Sequence, residues 1–288
     1  MNVTPIALDR AGEAREREPV ALLALPGAAY LVVAFALPLA LLLVTSVVSD
    51  GHLTLAGYRH FLADPFSWTV IANTVRIAIL TTLICLLAGY PAAFALARAP
   101  GALQAVLLAA LIVPLSVGVV VKAFAWTILL RSDGVVNQLL LAIGAIDTPA
   151  RWLFTESGLV LGAVNIFLPF MVLPIFAVVK LLDPRLLDAA ATLGASPLHR
   201  FVRVTLPLTM PGVIAGIAFV FSMSVSMYVI PTLLMGDRFK TLSILVARSF
   251  LFMRDRSLGS TVSVVLLVIA VAVVVASALL ARRWQRNS

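Results

Sequence analysis

The sequence predicts an all-α, polytopic membrane protein with six transmembrane helices and a polar helical loop between the fourth and the fifth. Hydrophobic residues make up 62% of the 288 residues and charged residues 12%, against about 45–50% and about 25% in soluble domains. The mean hydropathy is +1.09. Such an apolar excess is too large for one buried core, so it must be distributed over segments that a bilayer solvates.

Six apolar stretches are each long enough to cross the hydrocarbon layer, which takes about 20 helical residues. They run over 20–48, 68–97, 102–130, 158–182, 211–234 and 258–281. The charged segment 1–19 lacks the basic region and the small-residue cleavage site of a secretory signal. We therefore expect a cytoplasmic tail over 1–19, a retained first span over 20–48, and one transmembrane domain over 68–282 that holds spans two to six.

Proline and glycine recur inside the first four predicted spans. In membranes, neighbouring helices can satisfy the backbone groups that such residues free. We expect these residues to serve helix packing more often than bending. They are Pro26, Pro38, Gly89, Pro91, Pro114, Gly118, Pro169 and Pro174.

The formal net charge of +8 reflects, in a membrane protein, Lys and Arg retained in cytoplasmic loops. No basic helix with interleaved aromatic residues accompanies the charge, so nucleic acid is not expected as a partner. With six spans both termini share a side, and placing them inside collects a small excess of Lys and Arg there. The basic stretch 238–256 argues the other way, so charge alone leaves the orientation open.

The residue types needed for catalysis or metal binding do not occur in the required patterns. Cys85 is the single cysteine, and His52, His60 and His199 lack metal-ligand spacing, so we expect no metal, cofactor or disulfide. The sequence has neither a phosphate loop nor a His-Glu-x-x-His helix. ATP hydrolysis by this chain and intramembrane proteolysis are therefore disfavoured. A secondary carrier remains an alternative, but the internal repeats typical of that class are not evident.

The polar loop 181–207 carries strong local signals. Asp183 can cap a helix that begins at Pro184, and Gly194 can end it in the left-handed conformation. A second amphipathic piece, 197–204, leads to Pro207. The pattern predicts two short helices joined by a glycine turn, both on the membrane surface.

This loop resembles the signature of binding-protein-dependent ABC importer permeases, which is Glu-Ala-Ala, three residues, Gly, nine residues, then Ile-x-Leu-Pro. The chain departs from it by Asp in place of Glu and Val in place of Ile. Shorter stretches at 122–126, 134–137, 146–149, 168–174 and 207–212 resemble the spermidine and putrescine branch of these permeases. The matching signature residues are Asp188, Ala189, Ala190, Gly194, Val204, Leu206 and Pro207.

The resemblance implies a non-catalytic permease subunit in a bacterial inner membrane, with both termini and the loop in the cytoplasm. The loop would be a coupling helix seated on a separate ATPase subunit. The implied partners are ATPase subunits, a second identical or homologous permease, membrane lipid, and a soluble binding protein that delivers a small solute. A polyamine such as spermidine or putrescine is the first expectation for that solute. Iron, an opine, an amino-acid-like compound or a phosphonate is the alternative.

Polar and aromatic positions inside the predicted spans could line a path for the solute, although small hydroxyl residues often serve helix packing instead. No Asp or Glu lies at mid-span, so an acidic polyamine site is not evident. Arg76 and Lys122 are expected to extend toward the interface rather than to take part in transport. The candidate path residues are Trp126, Asn165, Ser222, Ser226 and Tyr228.

Overall fold

The structure is a computed structural model that describes residues 25–49, 52–236 and 239–287, and the predicted tail 1–19 lies outside these residues. Most of the described chain is helical, and its β structure is a small antiparallel pairing of Val48–Ser49 with His52–Leu53. Five helices are long and apolar enough to cross a membrane, and one sharply bent pair would make a sixth. The five are Leu25–Val47, Pro65–Arg98, Glu156–Lys180, Pro197–Ser226 and Arg256–Arg283.

In the predicted order of six spans, these helices correspond to the first, second, fourth, fifth and sixth, and the bent pair takes the third place. Within them, π-helical turns occupy Val32–Ala36 and Phe201–Thr205. The sixth helix continues beyond its span and covers Arg256–Asn287. The remaining helical segments are short, and they are Ala56–Ala63, Val135–Ala142, Pro184–Thr192, Val229–Leu234, Leu242–Arg248 and the π-helical Ser249–Met253.

The third segment is not the single straight helix that the sequence predicted. Gly101–Ile112 passes through a 3₁₀ turn, Val113–Ser116, and a second helix, Val119–Leu129, follows. The two halves are bent by 102°. The break falls between Pro114, which lacks a backbone donor, and Gly118, whose extended backbone caps the second half. Here proline and glycine bend the chain, whereas Pro91, Pro169 and Pro174 lie inside continuous helices.

The fifth span is displaced from its predicted range of 211–234. It begins at Pro197 and ends at Ser226, where the chain turns extended at Met227 before the separate helix Val229–Leu234. Pro231 has no N–H to donate to the carbonyl of Met227, so a continuous helix would lose a bond there. The second loop helix predicted for the membrane surface therefore forms the first turns of a span.

Close packing of the second, fourth and fifth spans forms the core. Met171 of the fourth span is fully buried and lies between two glycines of its neighbours. A Cβ added at Gly89 would lie 3.0 Å from the Met171 Cγ, and one at Gly216 would lie 2.7 Å from its Sδ. The absence of side chains at these glycines lets the three helices approach at one level.

The basic stretch 238–256, which lies between the predicted fifth and sixth spans, is largely helical where the structure describes it. Leu242 is fully buried against Phe61, Val70 and Val262 in a second apolar cluster. Its backbone N–H donates to Thr74 Oγ1 at 2.9 Å. This segment is therefore packed against the second and sixth spans rather than extended from them.

Candidate functional site

The polar loop begins with the helix start that the sequence predicted. The side chain of Asp183 accepts a hydrogen bond from the Arg185 N–H at 2.9 Å, and Pro184 occupies the first turn. The helix then covers Pro184–Thr192, which we call the loop helix. A carboxylate at this position also interacts favourably with the positive end of the helix dipole.

The loop helix ends at Gly194, as predicted. Gly194 has φ +80°, and its N–H donates to the carbonyl of Ala191 at 3.0 Å. The next N–H, of Ala195, donates to the carbonyl of Ala190 at 3.1 Å. These two bonds form a Schellman motif, and Ser196 then caps the fifth span by accepting the His199 N–H at 3.3 Å. The turn between the two helices is thus held at both ends.

Apolar side chains stand out from this loop into the surroundings. Leu193 is 87% exposed, Leu198 73% and Leu186 48%. None of the described side chains of the loop helix is buried. A rigid surface that exposes leucines beside charged residues has the character of a protein-docking site.

The residues of the signature divide into two groups. The first group, at the exposed end of the loop, consists of Asp188, Ala189 and Gly194, with Ala190 partly buried. The second group, Val204, Leu206 and Pro207, is partly buried in the base of the fifth span. The structure therefore places one half of the signature on the surface and the other half where the loop joins the membrane-spanning core.

A contact that the sequence did not reveal joins this base to the second span. Tyr90 and the fully buried Thr209 share a hydrogen bond of 2.9 Å between their hydroxyl groups. The ring of Tyr90 also meets Phe201 edge-on, with centroids 5.8 Å apart. These residues lie more than a hundred positions apart along the chain, so the contact depends on how the spans pack in the folded protein.

The candidate path residues form two pairs. Trp126 Nε1 donates to Asn165 Oδ1 at 3.1 Å and joins the third segment to the fourth span. Ser226 Oγ donates to the carbonyl of Ser222 at 2.9 Å, so both serines lie on one stripe of the fifth span. Tyr228 is 38% exposed in the break that follows. Asn165 and Ser226 are exposed on their helices.

Arg76, one of the ionisable residues within the predicted spans, has an acidic partner. Arg76 Nε lies 3.0 Å from Glu156 Oε1, and the side chains are 67% and 28% exposed. Glu156 begins the fourth span, two residues before the predicted start, which is why the sequence did not show it as a span residue. The expectation that Arg76 only extends toward the interface is thus incomplete. Lys122 is partly buried in the third segment.

Sequence comparisons connect this architecture to transport proteins. The model of the family described as binding-protein-dependent transport system inner membrane component matches residues 19–286. The spermidine/putrescine transport system permease protein PotB of Escherichia coli K12 is 38% identical over 216 residues, which cover 75% of this chain and 78% of that protein. PotB of Haemophilus influenzae is 34% identical over 237 residues, covering 80% and 82%.

Solved structures share the fold. A bacterial ABC transporter involved in the import of the acidic polysaccharide alginate has a chain that matches with a TM-score of 0.77. The match covers 96% of this chain and 99% of that one at 16% identity. The same transporter type has been crystallised in complex with an alginate pentasaccharide-bound periplasmic protein, with a TM-score of 0.77 and coverage of 96% and 98% at 16% identity.

Proposed function

Because the chain belongs to the family of binding-protein-dependent transport system inner membrane components, we propose that it translocates polyamines such as spermidine and putrescine across the inner membrane. The chain is the permease subunit of an ABC importer and a multi-pass inner-membrane protein. It works with a binding protein and with a separate ATPase, and it is not itself an enzyme. The polyamine proposal rests on one observation, the 38% identity to PotB over three quarters of the chain.

The loop helix is the proposed contact with the ATPase. The exposed leucines Leu186, Leu193 and Leu198 would be covered by the ATPase surface, and Asp188 would lie at the edge of that contact. The Schellman turn at Gly194 connects the loop helix to the fifth span without a flexible linker. A movement of the docked ATPase subunit would therefore pass directly into the fifth span and, through Tyr90 and Thr209, into the second.

This role requires the loop and both termini to face the cytoplasm, and the importer to contain a second permease that is identical or homologous. ATP binding would draw two ATPase subunits together, and the spans would change between inward and outward openings. The path between the two permeases would include Trp126, Asn165, Ser222, Ser226 and Tyr228. The amide and hydroxyl oxygens of these residues can accept hydrogen bonds from an organic cation, and the aromatic rings can contact it face-on.

Transport by a reconstituted importer tests the proposed substrate. Vesicles would carry this permease with its partner permease and the ATPase, and the binding protein would be added on the opposite side of the membrane from the ATPase. Uptake of labelled spermidine and putrescine would be followed with ATP supplied on the side that holds the ATPase. We expect ATP-dependent uptake that stops when the binding protein is omitted. Uptake of a phosphonate, an opine or an iron complex in place of either polyamine would overturn the polyamine proposal and leave the family membership intact.

A further inference from the structure

A cavity of about 810 Å³ lies between the loop helix and the ends of the second, fourth and fifth spans. Its volume is within the range of about 300–1,000 Å³ that is common for small-molecule sites. The path residues do not line it, and of the residues assigned to the proposed ATPase contact only Asp188 does. The cavity is therefore a separate feature of the molecule.

Three cationic side chains from three different elements line this cavity. Arg98 ends the second span, Lys180 ends the fourth, and Arg200 lies in the first turns of the fifth. The Arg200 Nε is buried and has no hydrogen-bond partner within the described chain. A buried donor left unpaired is energetically unfavourable, so an acceptor entering the cavity at this point would be favoured.

The other two cations have donors to spare. Lys180 Nζ donates to Gln104 Oε1 at 3.0 Å, which uses one of its three N–H groups. The Arg98 guanidinium lies 5.4 Å from the centroid of the Phe94 ring, and its edge N–H groups can still donate in the plane. Three cations that line one cavity and have donors available favour a phosphate group.

Two carboxylates of the loop also line the cavity. They belong to Asp183 and Asp188, and neither lies within ion-pair distance of the three cations in the described part of the chain. The lining thus combines three cations at the ends of spans with two anions of the loop. Phe94 and Phe201 add apolar surface to the same lining.

We propose that this cavity binds a phosphate ester that carries a primary ammonium group, the chemistry of phosphoethanolamine. The phosphate would contact Arg98, Lys180 and Arg200, and the ammonium would contact Asp183 and Asp188. The cavity lies where three apolar spans end, which is the level of lipid head groups whichever way the chain is oriented. The source favoured by this position is therefore phosphatidylethanolamine of the membrane, with its acyl chains along Phe94 and Phe201.

A lipid bound in this way would bridge the span ends and the loop. Its phosphate would be held by the core and its ammonium by the segment that moves with the ATPase. This consequence for coupling rests on the proposed role of the loop, whereas the binding itself does not depend on the substrate or on the ATPase contact.

Lipid retention by the purified importer tests the proposal. The complex would be taken from nanodiscs of equal parts phosphatidylethanolamine, phosphatidylglycerol and phosphatidylcholine, and bound lipid would be counted by native mass spectrometry. Wild type is expected to retain phosphatidylethanolamine, and Arg200→Gln to retain about tenfold less, as for the loss of one charge-assisted hydrogen bond. Arg98→Gln, on the second span, should also lower the retention of phosphatidylethanolamine. Arg203→Gln is the matched control, because Arg203 is exposed and does not line the cavity.

The proposed contact of the ammonium group with the loop carboxylates has its own test. Asp183→Asn keeps a side-chain acceptor for the Arg185 N–H and removes the charge, so it should lower the preference for phosphatidylethanolamine while total bound phospholipid stays the same. Soluble phosphoethanolamine that binds the delipidated complex as tightly as the lipid would move the source to solution. Equal retention of the three lipids by wild type, or unchanged retention in both arginine variants, would overturn the proposal.

Discussion

The indole N–H of Trp126 donates to the side-chain oxygen of Asn165 at 3.1 Å, and this bond joins the second half of the broken third segment to the fourth span. Both groups are polar at a depth where unpaired polar groups are costly. The pair therefore has a structural use in holding the third segment, and the remaining amide N–H groups of Asn165 are free to face a solute.

We predict that Asn165→Leu lowers polyamine uptake roughly two- to tenfold, the range expected for the loss of one neutral hydrogen bond. Asn165→Asp keeps the acceptor for Trp126 and should retain more uptake. Leu161→Ala, one turn away on the same exposed face, is the control and should have little effect. Uptake in reconstituted vesicles provides the measurement, and equal uptake by wild type and Asn165→Leu would remove Asn165 from the path.

A second prediction concerns the ion pair of Arg76 and Glu156, which joins the second and fourth spans. Because both side chains are partly exposed, the pair is expected to contribute only about 0.2–1 kcal/mol. Arg76→Gln and Glu156→Gln should each lower the thermal stability of the complex slightly, and the double variant should lose no more than either alone. The exposed pair Arg131–Asp133 is the matched control, for which we expect a smaller coupling. Fully additive losses of stability at Arg76 and Glu156 would show that the two side chains have no coupling energy.

A third prediction concerns the packing of the fourth and fifth spans at Gly212. A Cβ there would lie 2.8 Å from the carbonyl oxygen of Pro174 and 3.0 Å from the Cα of Ile175, and backbone atoms cannot move aside as a side chain can. Gly212→Ala should therefore lose about 1–3 kcal/mol, seen as a lower melting temperature and a lower yield of the complex. Gly101→Ala is the control, since nothing lies within 4 Å of a Cβ at that position. A wild-type melting temperature for Gly212→Ala would contradict this packing.

Thiol labelling checks the proposed orientation of the loop. His199→Cys and Ser196→Cys, in a Cys85→Ala background, should be protected from impermeant reagents added outside intact cells. Ser132→Cys, an exposed position in the segment that joins the third and fourth spans, should label rapidly under the same conditions. His199→Cys is the safer of the two loop variants because Ser196 caps the fifth span. Rapid labelling at position 199 with protection at 132 would reverse the orientation.

Local sequence signals predicted the parts of this molecule that depend on neighbours in the chain. Asp183, Pro184 and Gly194 specify the start and end of the loop helix through caps and a positive φ, and the structure has each of them in place. The apolar stretches likewise predicted the first, second, fourth and sixth helices, because a stretch of that length is enough to cross a bilayer.

Features that depend on contacts between distant segments were not predictable in this way. The ion pair of Arg76 and Glu156 and the bond between Tyr90 and Thr209 require the packed arrangement of three spans. The start of the fifth span at Pro197 was missed because the polar residues of its first turns resemble a surface helix. Those residues lie where the span leaves the apolar layer, and composition does not distinguish the two situations.

The last prediction is that Gly194→Val leaves the chain inserted but uncouples ATP hydrolysis from transport. Gly194 has φ +80° and nothing within 4 Å of a Cβ built on it, so the cost of a side chain there arises from the backbone alone. For a β-branched residue this cost is about 1–2 kcal/mol, enough to favour continuation of the loop helix past its turn. The loop would then present Leu186 and Leu193 in a different direction, while the spans insert through their own apolar length.

Two matched variants separate this backbone effect from the loss of a glycine as such. Gly194→Asn should retain most coupling, because Asn tolerates the left-handed conformation. Gly101→Val should also be mild, since that glycine has equally open surroundings without a positive φ. The measurement is recovery of the complex together with substrate-stimulated ATPase activity and uptake. The Gly194→Val variant differs from the two controls in placing a β-branched residue at a positive φ. If this variant assembles normally and keeps a wild-type ratio of uptake to hydrolysis, the geometry of this turn is not part of coupling.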